Sequence, residues 1–307
     1  MAGLRKKWRS GLVVVLVVAA IGVLLYFSRT KEPSFQGRGL SHWLSDIENA
    51  RDDREAESAK NAVRQIGTNA IPYLLGMMRA EDSKLKETFI TLLARLHIST
   101  VRIADASGKH LRALLGFHAL GPRASSAIPE LKALVDNPKT VHFAALALAE
   151  ISPDGMEAAT AGLQSTDAIV RRDTAGVLGL VGLVRFATNA SPAQLDLLRA
   201  QADKAVPPLI RALNDSDELT RARAATSLGL LGQKADTAVP ALIRNLQETN
   251  GWRVPASAAR GLERFGTNAV AALPALKAIA EHSDSRVREA VARAIQSIET
   301  RAEPRLE

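Results

Sequence analysis

The chain has 307 residues, 47% of them hydrophobic and only 4% aromatic. That apolar fraction excludes disorder for most of the chain, and the shortage of aromatics favours helices packed through Ala and Leu. The formal net charge is +8. Residues 1–30 hold five basic residues and no acidic one, leaving 35 basic against 32 acidic in the rest, a net of +3. The excess therefore sits mostly in the N-terminal tail, which weakens a nucleic-acid reading. With no cysteine there is no disulfide, thiolate metal site or Cys nucleophile.

Residues 1–10 form a basic tail, with Arg5, Lys6, Lys7 and Arg9. Residues 11–27, GLVVVLVVAAIGVLLYF, are an uncharged run. As a helix it spans roughly 25 Å, the short end of a membrane crossing. Trp8, Tyr26 and Phe27 flank it as interface aromatics do. A cleaved signal peptide has a shorter apolar region and a small-residue cleavage site. Here Tyr-Phe-Ser-Arg-Thr follows, so the run is expected to stay as an anchor. The positive-inside rule puts the N-terminus in the cytoplasm and the body outside, in the periplasm if the source is Gram-negative. Residues 28–39, with Pro33, Gly37 and Gly39, read as a linker.

From residue 40 to 300 a motif recurs: apolar, Pro, any residue, Leu. Its prolines are Pro72, Pro129, Pro207, Pro240 and Pro274. Glycines precede most copies: Gly67, Gly121, Gly232 and Gly266. Glycine suits the left-handed position after a helix end, and proline the first turn of the next helix. A second element follows, Asp-x-x-x-Arg leading into a helix of small residues. Its copies are Asp167 with Arg171, Asp217 with Arg221, and Asp284 with Arg288, and Asp82 with Lys86 is weaker. Each Asp can cap a helix, with its Arg one turn on, where an i,i+4 contact is possible. Irregular proline spacing places insertions near residues 97–110 and 183–203, and a degenerate unit starts near Asp154. Residues 301–307 are a tail. The expected fold is all-α: a solenoid of about seven helix pairs behind one transmembrane helix, each pair burying its apolar stripe against its neighbours.

The Pro-x-Leu helix followed by Asp-x-x-x-Arg resembles HEAT repeats, specifically the short HEAT-like type also seen in phycobilin lyases. The stretch Gly37-Arg-Gly-Leu-Ser-His-Trp-Leu44 is similar to the lead-in of bacterial membrane-anchored HEAT-repeat proteins. One unit departs from the pattern, with Gly251 and Pro255 where the Asp and Arg belong. The resemblance implies an interaction scaffold rather than an enzyme, with second helices lining a concave face. It also implies that Arg171, Arg221 and Arg288 form a ladder bonded to acids of their own or neighbouring units.

No reaction motif is visible. His42, His97, His110, His118, His142 and His282 are scattered and none is followed by Glu. Deoxyhypusine hydroxylase, a di-iron enzyme of similar scaffold, needs His-Glu pairs. No phosphate-binding or nucleophile-elbow glycine pattern occurs. Gly176, Gly179 and Gly182 lie inside a helical unit and read as close helix packing. Neither a cofactor nor a metal is expected. Arg172, Arg223 and Arg286 lie off the ladder and are expected to be free. With Trp252 and Arg253 they would form a basic, partly aromatic patch for a protein or peptide partner. The alternative function is an enzyme or enzyme subunit, phycobilin-lyase-like or other, with a groove site that no motif reveals. A third is an anchor using the edges and insertions.

Overall fold

The computed structural model describes residues 32–81, 106–186 and 191–302. Among them no helix is long and apolar enough to cross a membrane, and the expected span at 11–27 lies outside them. The tail calls at 1–10 and 303–307, Asp82 and Lys86, and residues 97–105 of the first expected insertion also lie outside.

A small hairpin opens the described chain, inside the stretch expected to be a linker. Strand β1 (Ser34–Phe35) pairs antiparallel with β2 (Arg38–Gly39). Gln36 and Gly37 both have positive φ, at 50° and 75°, the backbone a two-residue hairpin turn requires. The hairpin clamps the first helix: Trp43 donates its indole N–H to the Phe35 carbonyl at 3.3 Å, and Arg38 pairs with Asp46 at 2.8 Å. The Arg38 guanidinium also lies 4.2 Å from the Trp43 ring centre.

The helices then fall into seven successive pairs among the described residues. These are α1 (Leu40–Glu48) with α2 (Asp53–Ile66), α3 (Ile71–Met78) with α4 (Ala106–Leu120), and α5 (Ile128–Val135) with α6 (Val141–Ile151). Next come α7 (Pro153–Ala159) with α8 (Ala168–Val177), and α9 (Pro192–Ala212) with α10 (Glu218–Leu231). The last are α11 (Ala235–Asn245) with α12 (Arg253–Phe265), and α13 (Leu273–Ala278) with α14 (Ser285–Ala302). One apolar core runs without a break from Leu40 to Ile298. No pair could bury its stripe alone, and stacking makes the core continuous.

The glycines and prolines explain the joints. Gly67, Gly121, Gly232 and Gly266 all have φ between 53° and 65°, as expected after a helix end. Pro72, Pro129 and Pro274 sit in the first turn of α3, α5 and α13. In the first two the preceding residues wind as 3-10 turns, Gly67–Ala70 and Gly121–Ala127. Pro207 and Pro240 depart from the expectation and lie inside α9 and α11. Helix α9 starts early because Ser191 and Gln194 form a reciprocal capping box ahead of Pro192. Leu198, Ala202, Ala205, Val206 and Leu209 then bury one continuous face. Residues 192–203, expected to belong to an insertion, are therefore the first half of a repeat helix. Gln201 ties it to the core by donating to the Ala149 carbonyl at 2.6 Å.

Several close backbone approaches lie along the second helices and the turns that follow them. A Cβ built on Gly229 of α10 would lie 2.5 Å from the Cα of Gly261 on α12. One on Gly179 would meet the Ser227 backbone at 2.5 Å, and one on Gly182 the Leu230 carbonyl at 2.3 Å. Gly179 and Gly182 thus serve helix packing, as expected. Gly176 has more room, its nearest neighbour being the Arg223 side chain at 3.4 Å. The second helices stack on one another from α2 to α14, and from α8 onward they approach more closely than the first helices do. A stack tight on one side and loose on the other curves toward the tight side, so the second helices form the inner face.

Candidate interaction surface

The surface begins with the turn that enters each second helix. Asp167 accepts from the Ile169 N–H at 2.7 Å and Asp217 from the Thr220 N–H at 2.8 Å, each capping its helix. Asp284 accepts from the Arg286 N–H at 2.9 Å. The expected i,i+4 contact between each Asp and its Arg does not form. The Arg instead folds back on its own turn and reaches forward to the next unit. Arg171 donates to the carbonyls of Ser165 and Thr166 at 3.0 and 3.2 Å and grips Asp215 with two N–H groups at 2.8 and 3.1 Å. Arg221 repeats this on the carbonyls of Asp215 and Ser216, at 2.8 and 3.1 Å, and on Glu248. Arg288 keeps the grip on its own turn, through His282 and Ser283 at 2.6 and 2.8 Å. The ladder is real, but its rungs join units rather than closing within them.

Arg172, Arg223 and Arg286, expected to be free, are all paired. Arg172 holds Asp217 of the next unit through two bonds of 2.7 and 2.6 Å. Arg223 pairs with Asp173 of the preceding unit, and Arg286 with Asp284 at 2.5 Å. The reason is register. Successive second helices lie side by side, which carries Arg172 and Arg223 to acids on their neighbours, whereas Arg286 turns back to Asp284 at the entry of its own helix. Trp252, Arg253 and Arg286 do come together: the guanidiniums of Arg286 and Arg253 lie 3.8 and 5.0 Å from the Trp252 ring centre. Arg253 also reaches Glu218 at 3.3 Å. This cluster lies at the N-terminal ends of α12 and α14, on the rim, and its charges are already balanced by acids. Arg172 and Arg223 are not part of it. The unit with Gly251 and Pro255 has no side-chain cap at Trp252, as its sequence implied.

These pairings show in the titration of the acids. The Arg172 guanidinium holds the Asp217 carboxyl well below the usual carboxylate range, against the opposing effect of burial. Arg286 lowers Asp284 to about 2. Burial pushes Asp215 up, but the bonds from Arg171 and the Asp217 N–H outweigh it and the net shift is downward.

The C-terminal part of the inner face carries a groove that sequence reading missed. Leu183, Leu230, Arg260, Glu263, Arg264 and Arg293 line an open cavity of about 640 Å³. Arg260, Glu263 and Arg264 form the half-buried stripe of α12, at the helical spacing that points away from the core. Arg293 stands at the equivalent place on α14, 33 residues on. Leu183 is 50% exposed and gives the lining an accessible apolar side chain. The recurrence of Arg at equivalent positions was the available signal. It was hidden because the Asp-x-x-x-Arg motif drew attention to the rim. Among the described residues no group of three or more His, Asp or Glu could hold a metal ion.

No curated protein matches the chain. Among solved structures, an engineered protein of the Northeast Structural Genomics Consortium is 18% identical with a TM-score of 0.38, over 85% of this chain and 96% of that one. Human deoxyhypusine hydroxylase in complex with glycerol is also 18% identical, with a TM-score of 0.31 over 85% and 96%. A designed armadillo repeat protein is 15% identical, with a TM-score of 0.39 over 84% and 99%. All three likenesses are too distant to bear on function. Residues 195–263, running from α9 into α12, match the family model of HEAT repeats. This stretch thus matches HEAT repeats, and helix pairs of the same kind flank it on both sides.

Proposed function

We propose that this protein is a scaffold that holds an extended protein segment along the inner face of its second helices, with no chemistry of its own. The observation that carries the reading is the groove of about 640 Å³ on that face, lined by cationic and apolar side chains. Stacked repeats give long, shallow concave surfaces of the kind that suit extended partners. The run at residues 11–27 would tether the scaffold to a membrane, with the body on the outer side. Affinity capture of the full chain from detergent-solubilised membranes tests this. The reading expects one partner recovered at constant stoichiometry. Repeated capture of the chain alone would overturn it.

A further inference from the structure

Three arginines line the groove, and two of them have no acid partner among the described residues. On the four C-terminal second helices, Arg171, Arg172, Arg221, Arg223, Arg253 and Arg286 each bond a carboxylate. Arg288 bonds two carbonyls, and Arg264 is engaged as well. Among the described residues Arg260, Arg293 and Arg301 form no hydrogen bond or ion pair, and the first two line the same cavity. Glu263, the one acid of that lining, bonds neither of them. Arg171, Arg172, Arg221, Arg223 and Arg253 are matched to acids across units, whereas no acid among the described residues is matched to Arg260 or Arg293.

Resting on the scaffold reading above, we infer that the groove takes an acidic protein segment in which an apolar residue lies beside Asp or Glu. Guanidinium is the cation best shaped for carboxylate, binding it through two parallel N–H bonds. Arg260 and Arg293 have those donors unused. The apolar residue seats against Leu183 and Leu230, which would otherwise leave Leu183 half in water. The volume lies in the range of about 300–1,000 Å³ that binding sites occupy, enough for a few residues of extended chain. A nucleic acid would offer phosphates but no apolar side chain for the leucines. Among the described residues no aromatic ring lines the groove to stack a base.

The test uses the full chain in detergent and three labelled probes in fluorescence anisotropy. These are a twelve-residue peptide alternating Leu with Asp and Glu, the same peptide with Asn and Gln in place of the acids, and a single-stranded oligonucleotide. The acidic peptide binds at least about tenfold tighter than the amide peptide. Arg260→Glu with Arg293→Glu abolishes that preference, and Arg260→Gln with Arg293→Gln reduces it. Arg244→Glu, the same charge change on the outer helix α11, leaves it intact. Because neither Arg260 nor Arg293 has a partner to lose, both double variants should keep the parent melting temperature. Equal binding of the two peptides, tighter binding of the oligonucleotide, or an acid preference that survives both double variants overturns the inference. If the acid preference fails while membrane capture still recovers a partner, the scaffold reading stands and the groove chemistry falls.

Discussion

Arg171 and Arg172 are adjacent in sequence, yet each is matched to a different acid of the next unit. Arg171 takes Asp215 and Arg172 takes Asp217, so one turn of α8 is tied to the whole entry of α10. Asp217 carries two loads, the cap on Thr220 and the pair with Arg172. Asp217→Ala should therefore cost about 2 kcal/mol, a lost cap plus a half-exposed pair, read as a lower urea midpoint. The acid side gives a second prediction. The folded Asp217 titrates below its unfolded value, so the stability it contributes is complete above the unfolded pKa and lost as pH falls through the folded one. Between about pH 4 and pH 2 the Asp217→Asn variant should lose less stability than the parent, and parallel losses would contradict the assignment. The capping role of Asp167, Asp217 and Asp284 was legible in the sequence because a cap is local. The partners of Arg172 and Arg223 were not, since they depend on how neighbouring helices register; that of Arg286 is Asp284 on its own turn.

Four joints place a glycine of positive φ ahead of a proline, and both could be read from spacing. The starts of α9 and α11 could not, because a proline suits a first turn while here the chain begins each helix earlier, ahead of Pro207 and Pro240. Ser191, Pro192 and Gln194 held the local signal for α9. Glycines inside helices divide by what a methyl group would meet. Gly229 faces Gly261 across α10 and α12, so Gly229→Ala should destabilise by about 1–3 kcal/mol through overpacking. Gly76 in α3 has nothing within 4 Å and an ordinary backbone. Gly76→Ala should instead stabilise by roughly 0.5–1 kcal/mol, since alanine loses less backbone freedom. Thermal unfolding of the two variants side by side checks the opposite signs. The same sign in both would show that the tight second-helix layer is not what holds these units together.

The array as a whole was legible in the sequence: seven pairs, all helical, with HEAT repeats where the motif is most regular. The groove was not, because it is assembled from α8's exit, α10, α12 and α14, and no single stretch contains it. Its chemistry comes from Arg260 and Arg293, to which no acid among the described residues is matched, and only the stacked structure reveals this. The tether proposed for residues 11–27 makes a separate prediction. Protease added to intact spheroplasts should digest the body, and a fully shielded body would reverse the orientation. The central claim is that the inner face holds the partner, and site-directed photo-crosslinking tests it most directly. A crosslinking residue at Thr226 or Arg260, on the inner face, should capture the same protein, while one at Glu130 or Arg244, on outer helices, should capture none. Capture from the outer positions with none from Thr226 or Arg260 would contradict the account.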